Sequence, residues 1–167
     1  MIHVALIRGI NVGGSRRVKM PDLRAALEDA GYEDVRTYVQ SGNVVLRSSR
    51  SAARVAADVA AATGLEVDVM VRTAEHLAQI VEGNPYPQVQ DGKTLHVAFL
   101  EGGRPELPDG DFAPEECTLA HGELYVWLPD GMRDSRLAKA LSERRLGVRA
   151  TWRNWNTVLA LHELASP

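Results

Sequence analysis

Hydrophobic and polar positions repeat with two different periods in the first half of the chain. Residues 2–7 are apolar at nearly every position, as in a central strand that is buried on both faces. Residues 20–31 have apolar side chains three and four positions apart, with Pro21 in the first turn and a glycine at the end, which predicts a helix. In residues 35–40 and 66–71, every second side chain is a valine or a threonine, so the two faces of each segment differ, which is typical of edge strands.

A hairpin and a second helix complete the predicted order of the first half. Turn residues at 41–43 join the second strand to a third, so that residues 35–47 form a hairpin, and residues 51–64 form a helix that ends at a glycine. The resulting order, β-α-β-β-α-β, is typical of the ferredoxin-like plait, in which two helices back a four-stranded antiparallel sheet. We expect the strand order fourth, first, third, second, because the first and third strands are apolar on both faces.

The second half repeats much of this order. We predict a strand at 94–101, a hairpin at 117–128, a helix at 134–147, a strand at 148–152 and a closing helix from about Trp155. Residues of the first strand recur in the later one, namely His3, Val4, Ala5 and Gly9 as His96, Val97, Ala98 and Gly102. The repetition favours an internal duplication whose second copy has lost most of its first helix; chance similarity between two central strands is the alternative.

These elements predict an α+β fold made of two ferredoxin-like (α-β plait) halves, with antiparallel sheets backed by helices and an abbreviated second half. We place the first βαββαβ subdomain and the helix that follows it at residues 1–82. A linker with proline, glycine and asparagine residues occupies 83–93, and the second plait-like subdomain occupies 94–167.

Composition narrows the class of protein. The chain is 45% hydrophobic and 25% charged, with a net charge of −3, so it is of ordinary globular composition and has no general attraction to nucleic acid or membranes. Its single cysteine, Cys117, excludes an internal disulfide and suits a reducing compartment. No basic leader precedes a long apolar run. We therefore expect a cytoplasmic protein, monomeric or homodimeric, without a membrane partner and without nucleic acid.

Charge is unevenly distributed in the second half. Residues 101–130 contain eight acidic and one basic residue, whereas residues 131–153 contain seven basic and two acidic residues. Two solvated faces of opposite charge explain this pattern, and the near-helical spacing of the bases among leucines favours that interpretation. An anion-binding patch on the basic segment is the alternative.

A candidate site follows from the predicted topology. In a plait, the loop after the first strand and the turn between the second and third strands lie at the same edge of the sheet. Residues 8–17 and 40–43 therefore come together. The residues of interest there are Arg8, Asn11, Gly13, Gly14, Ser15, Gln40, Ser41 and Asn43.

The chemistry that this cluster suits is the binding of an anion. The Gly13-Gly14 pair lets the backbone approach a ligand and offer its N–H groups, and the loop then enters a helix N-terminus. Arg8 can bind a carboxylate or phosphate through two parallel hydrogen bonds. We predict a small anionic metabolite or nucleotide as the ligand. The alternative is structural: the glycines form a tight turn, Asn11 caps it and Arg8 pairs with a local acid.

The segment TWRNWNT, residues 151–157, is a second candidate. Arg153 and Asn154 can reach the predicted site, and a tryptophan face can stack on a base or ring. Alternatively, Asn154 or Asn156 caps the last helix and the tryptophans belong to the core.

Three other functions are alternatives to anion binding. Some plaits hydrolyse acyl phosphates, so that Arg8 and Asn43 could orient an anion and a water, but this is an analogy of folds and assigns no catalytic residue. An RNA-binding plait displays aromatic residues on its first and third strands, and this chain has none there. A purely structural or interaction role is the last alternative. We predict neither a cofactor nor a metal site, because the histidines have no metal-ligand spacing.

The motifs RGINVGG at 8–14, TYVQSGN at 37–43 and TWRNWNT at 151–157 resemble those of the bacterial domain-of-unknown-function 1697 family (DUF1697). The resemblance covers essentially the whole chain. It implies a plait-like α+β fold. It also implies that the following candidate residues belong to the pattern of the family: Arg8, Asn11, Gly13, Gly14, Gln40, Ser41, Asn43, Arg153 and Asn154. It transfers no activity and no catalytic residue.

Overall fold

A computed structural model describes residues 1–11, 16–38 and 42–167. The chain divides into two compact units, one formed by residues 1–78 and 160–167 and the other by residues 79–159. The subdomain limits that the sequence suggests, at residues 82 and 94, stay a prediction.

The first unit contains a four-stranded antiparallel sheet. Its elements are β1 (Ile2–Ile7), α1 (Met20–Asp29), β2 (Glu33–Tyr38), β3 (Asn43–Arg47), α2 (Ala52–Thr63) and β4 (Val69–Thr73), followed by α3 (Ala74–Glu82). The strands are arranged in the order β2-β3-β1-β4. The predicted plait order is therefore confirmed, with the two strands that are apolar on both faces at the centre.

The second unit contains a second sheet of the same order. Its elements are β5 (Leu95–Glu101), β6 (Glu116–Ala120), β7 (Glu123–Trp127), α4 (Arg136–Ala140), α5 (Glu143–Leu146) and β8 (Arg149–Asn154), and α6 (Trp155–Ala165) closes the chain. The strand order is β6-β7-β5-β8, again antiparallel. Residues 102–115 contain no helix, so the second half is abbreviated where we expected it to be. The α+β prediction is confirmed; the duplication that it suggested stays a prediction.

One predicted helix is wrong. The sequence pattern indicated a continuous helix at 134–147, and the structure has two short helices there. Leu141 ends α4 with a φ of −101°, and Ser142 has an extended backbone, with a ψ of 152°, before α5 begins. Serine favours such N-cap positions over helix interiors. The carboxylate of Glu143 accepts a hydrogen bond from the backbone N–H of Ala150 at 2.7 Å, which ties α5 to β8.

The helices of the first unit cover one face of its sheet. Leu23 and Leu27 of α1, with Val55 and Val59 of α2, belong to the same buried cluster as Ile7 of β1. Burial of such an aliphatic side chain stabilises a fold by about 1.5–3 kcal/mol. This layer packs against Ala5 and Ile7 at the C-terminal end of β1, and so it positions the loop that follows β1.

A hydrogen-bond network fixes the end of α1 against α2. The hydroxyl of Tyr32 donates to the carboxylate of Asp58 at 2.7 Å, and the guanidinium of Arg50 lies 4.5 Å from the centre of the Tyr32 ring. Arg50 and Arg54 also donate to Asp58. The hydrogen bond from Tyr32 and the neighbouring guanidinium groups lower the pKa of Asp58.

In the part of the chain that the structure describes, no helix is both long enough and apolar enough to span a bilayer.

Candidate functional site

The end of β1 meets the hairpin between β2 and β3. Leu6 lies opposite Asn43 in the sheet, and the backbone N–H of Ile7 donates to the carbonyl of Gly42 at 2.8 Å. Gly42 has a φ of +84°, and a Cβ atom there would lie 3.0 Å from the carbonyl oxygen of Ile7 and 3.0 Å from a side-chain carbon of Ile10. The described ends of the two segments are therefore in contact, as the plait topology predicted.

Part of the predicted site lies outside the described residues. The residues of this part are Gly13, Gly14, Ser15, Gln40 and Ser41. Their role in binding stays a prediction that rests on the sequence.

Asn11 holds the base of the loop after β1. Its side-chain amide donates to the carbonyl of Val18 at 3.0 Å and accepts from the N–H of Val18 at 2.7 Å. Its backbone N–H donates to the carbonyl of Arg16 at 3.1 Å, and both Asn11 and Arg16 adopt positive φ values, 56° and 57°. Asn11 thus shapes the loop through the backbone, as in the structural alternative, and is a positioning residue for any ligand site here.

Arg8 stands at the edge of an open cleft. Its backbone N–H donates to the carbonyl of Asp68 at 3.0 Å, and its Nη1 lies 3.5 Å from Asp68 Oδ2. The two side chains are 35% and 49% exposed. The cleft has a volume of about 610 Å³. Its lining residues are Arg8, Gly9, Arg16, Ala60, Ala61, Leu65, Glu66, Val67 and Asp68.

Two guanidinium groups face this cleft. Arg16 reaches across it and donates to the carbonyl of Glu66. The segment 8–19 contains four basic residues and no acidic one, and Arg17 and Lys19 in it are exposed. The loop side of the cleft is therefore positively charged, and Glu66 and Asp68 on the facing side are negatively charged.

Sequence reasoning missed the wall formed by residues 60–68. The predicted strand order could have indicated this wall, because the fourth strand lies beside the first strand and begins next to the end of β1. The candidate site therefore extends towards α2 and β4 on one side of β1, and towards the hairpin on the other side.

Asn43 is buried at the start of β3. Its side chain is fully inaccessible to solvent, and its Nδ2 donates to the carbonyl of Tyr38 at 3.0 Å. This hydrogen bond joins the facing ends of β2 and β3.

Arg153 and Asn154 belong to the second unit. The side-chain oxygen of Asn154 accepts from the N–H of Thr157 at 2.9 Å, so Asn154 caps α6, as one of the two interpretations predicted. Arg153 is largely buried, donates to Thr151 Oγ1 and to the carbonyl of Trp152, both at 2.9 Å, and has a pKa lowered to about 10 by burial. Their contribution to a site beside Arg8 stays a prediction.

A solved structure shares the fold of the whole chain. The conserved bacterial protein SP0830 from Streptococcus pneumoniae is 21% identical, with a TM-score of 0.74 over 99% of this chain and 98% of that one. No curated protein matches the chain. The sequence model of a family described as protein of unknown function (DUF1697) matches residues 1–125, which confirms the resemblance for the motifs at 8–14 and 37–43. The motif at 151–157 lies beyond the matched residues, and its resemblance stays a prediction. The chain therefore belongs to the DUF1697 family.

Proposed function

We propose that the protein binds a small anionic ligand, bearing a phosphate or a carboxylate, at the loop after β1, in the cleft between this loop and residues 60–68; the β2–β3 hairpin, which the sequence also places at this sheet edge, borders the other side of β1. The observation that carries the proposal is the placement of Arg8 and Arg16 on one open cleft, within a segment of four cations and no acid. Arginine suits such anions because its planar group forms two parallel hydrogen bonds with them.

The contact between Arg8 and Asp68 leaves room for a ligand. Ion pairs at this level of exposure contribute about 0–1 kcal/mol, so an incoming anion can compete for the guanidinium. The backbone of Arg8 is held by its hydrogen bond to Asp68, so the side chain starts from a fixed position at the rim. The N–H groups of the Gly13-Gly14 segment are the expected further donors.

Binding is favoured over hydrolysis. The hydrolase alternative requires Asn43 to orient a water molecule beside the anion. Its side chain is fully buried, and its amide nitrogen donates to the Tyr38 carbonyl. This placement suits a residue that holds the hairpin, and it counts against Asn43 as the group that orients a water molecule.

Thermal unfolding with a panel of anions tests the proposal. The probes are inorganic phosphate, pyrophosphate, AMP, ATP and citrate, and the proteins are wild type, Arg8→Gln and Arg47→Gln. Arg47 is the matched control, because it forms an exposed ion pair with Asp34 at 2.9 Å at the opposite end of the sheet, where β3 pairs with Ile2.

We expect at least one anion to raise the Tm of the wild type and of Arg47→Gln. We expect most of this increase to be lost in Arg8→Gln. A Tm that no anion changes, or a shift of equal size in Arg8→Gln, would contradict the proposal. Release of phosphate from acetyl phosphate, at a rate that depends on Arg8, would favour the hydrolase alternative instead.

A further inference from the structure

We infer that the cleft beside Arg8 selects zwitterions, small molecules that carry an anionic group and an ammonium group a few bonds apart. This inference rests on the proposed function and specifies the class of its ligand. It comes from the distribution of charge over the walls of the cleft.

Charges of both signs line the cleft on separate segments. Arg8 and Arg16 come from the ends of the loop after β1, whereas Glu66 and Asp68 come from the connection between α2 and β4. The two sets are in contact: Arg8 Nη1 lies 3.5 Å from Asp68 Oδ2, and Arg16 donates to the backbone carbonyl of Glu66. A ligand at Arg8 is therefore also within reach of the carboxylate of Asp68.

This arrangement disfavours a purely anionic ligand. An anion that binds Arg8 either lies beside the negative charge of Asp68 or displaces that carboxylate from the guanidinium. Like charges at such distances repel, and the displaced carboxylate loses a favourable contact. A zwitterion replaces the ion pair between the side chains of Arg8 and Asp68 by two contacts of its own, one from its anionic group to Arg8 and one from its ammonium group to Asp68.

The floor of the cleft suits the short chain between the two charged groups. Ala60, Ala61, Leu65 and Val67 line the same cleft and supply small or aliphatic surface there. A volume of about 610 Å³ lies in the usual range for small-molecule sites, which is about 300–1,000 Å³. The structure thus assigns a compact aliphatic zwitterion to this cleft.

Two matched pairs of probes separate the zwitterion from the plain anion. They are 2-aminoethyl phosphate against ethyl phosphate, and β-alanine against propionate, titrated into the wild-type protein by calorimetry. In each pair, the two molecules carry the same type of anionic group on a short chain, but only one has an ammonium group. We expect at least one zwitterion to bind about threefold to fivefold more tightly than its partner, which is the size of one exposed ion pair.

Asp68→Asn is the decisive variant, because it removes the charge and keeps the shape of the side chain. We expect it to abolish the preference for the zwitterion and to leave binding of the plain anion unchanged or stronger. Asp34→Asn is the matched control, since it removes the carboxylate of another exposed ion pair in the same unit, and it should keep the preference.

The outcomes separate this inference from the proposed function. Equal affinity for both members of each pair in the wild type overturns the zwitterion and leaves anion binding standing, even if Asp68→Asn fails to fold. Failure of all four probes and of the anion panel overturns both. Cosedimentation with vesicles of phosphatidylethanolamine in phosphatidylcholine, lost in Asp68→Asn, would overturn the assignment to a free small molecule and point to a lipid headgroup.

Discussion

Arg149 Nη2 lies 3.8 Å from Glu101 Oε1, where the end of β5 pairs with the start of β8. The first unit has a similar contact, between Arg8 at the end of β1 and Asp68 just before β4. In that contact the positions of the acidic and the basic residue are exchanged. Both units therefore place an exposed ion pair at the same corner of the same strand arrangement.

The two corners differ in the loop that follows. In the first unit, residues 8–19 contain four basic residues and no acidic one, whereas residues 102–115 of the second unit contain four acidic residues and one basic residue. An anion is attracted to the first loop and repelled by the second. The proposed binding of an anionic ligand accordingly belongs to the first unit.

Arg8→Gln and Asp68→Asn are each expected to lower the free energy of unfolding by less than about 1 kcal/mol, because both side chains are substantially exposed. Urea unfolding at pH 7, with Arg47→Gln as the reference, measures this. A loss above about 2 kcal/mol would show that the pair supports the fold, and effects of these variants on binding would then no longer report on the site alone.

Asn11→Gly tests the closure of the loop after β1. Glycine accepts the positive φ of 56° without strain, so the substitution removes the side-chain contacts of Asn11, among them the two hydrogen bonds to Val18 and the contact with Met20 Sδ, and adds no backbone strain. We expect a loss of about 1–2 kcal/mol in unfolding free energy, together with weaker anion binding. Unchanged binding at an unchanged Tm would contradict a positioning role for Asn11.

Gly42→Ala tests the contact between the hairpin and the end of β1. The left-handed backbone costs a non-glycine residue about 1–2 kcal/mol, and a Cβ atom at 3.0 Å from Ile7 and Ile10 adds crowding. Gly64→Ala is the control, because Gly64 has a φ of +71° with nothing within 4 Å of its added Cβ atom. Urea unfolding should show a larger loss for Gly42→Ala; equal losses would mean that the hairpin does not pack tightly on β1.

Two buried histidines predict a loss of stability in mild acid. His3 and His96 are 2% and 9% exposed, and burial lowers the pKa of each from 6.5. The unfolded chain then binds more protons than the folded protein below pH 6.5. Their contribution is therefore complete above about pH 6.5 and is lost as the pH falls towards the lowered pKa values.

Urea unfolding at pH 8, 7, 6 and 5 measures this effect for wild type and for His3→Leu/His96→Leu. The free energies of unfolding at pH 8 serve as the reference for any change in packing, since the imidazoles are neutral at that pH in both the folded and the unfolded state. We expect a shallower decline between pH 7 and 5 in the double variant. Parallel declines would show that these histidines do not account for the acid sensitivity.

Local patterns were sufficient for most of the architecture. The bounds of β1 were predicted at both ends, because a run of apolar residues on both strand faces can be satisfied only at the centre of a sheet. The α2 helix was also predicted closely, since Ser51 accepts a hydrogen bond from the N–H of Arg54 and Gly64 takes the left-handed C-cap conformation. Such caps depend on residues within one turn of the helix end.

Side-chain roles at the candidate site depended on contacts between distant residues. An asparagine has the same donors and acceptors whether it binds a ligand or a neighbouring backbone, and the structure places the amides of Asn11 and Asn43 on Val18 and Tyr38. Likewise, the predicted helix is interrupted before α5, where the backbone N–H of Ala150 donates a hydrogen bond to the carboxylate of Glu143. This hydrogen bond joins α5 to β8, so the helical pattern of residues 134–147 does not reveal it.

The strand order, the helices of the first unit and the contact between the end of β1 and the β2–β3 hairpin follow from periodicity and turn chemistry, which are properties of neighbouring residues. The partner of Arg8, the wall formed by residues 60–68 and the mixed charge of the cleft were decided by the tertiary structure. The physical reason is that the two residues of this ion pair are 60 positions apart, so no local pattern of neighbouring residues marks them as partners. The exposed pair also contributes little energy to the fold. It forms because the pairing of β4 with β1 has already brought the two side chains together.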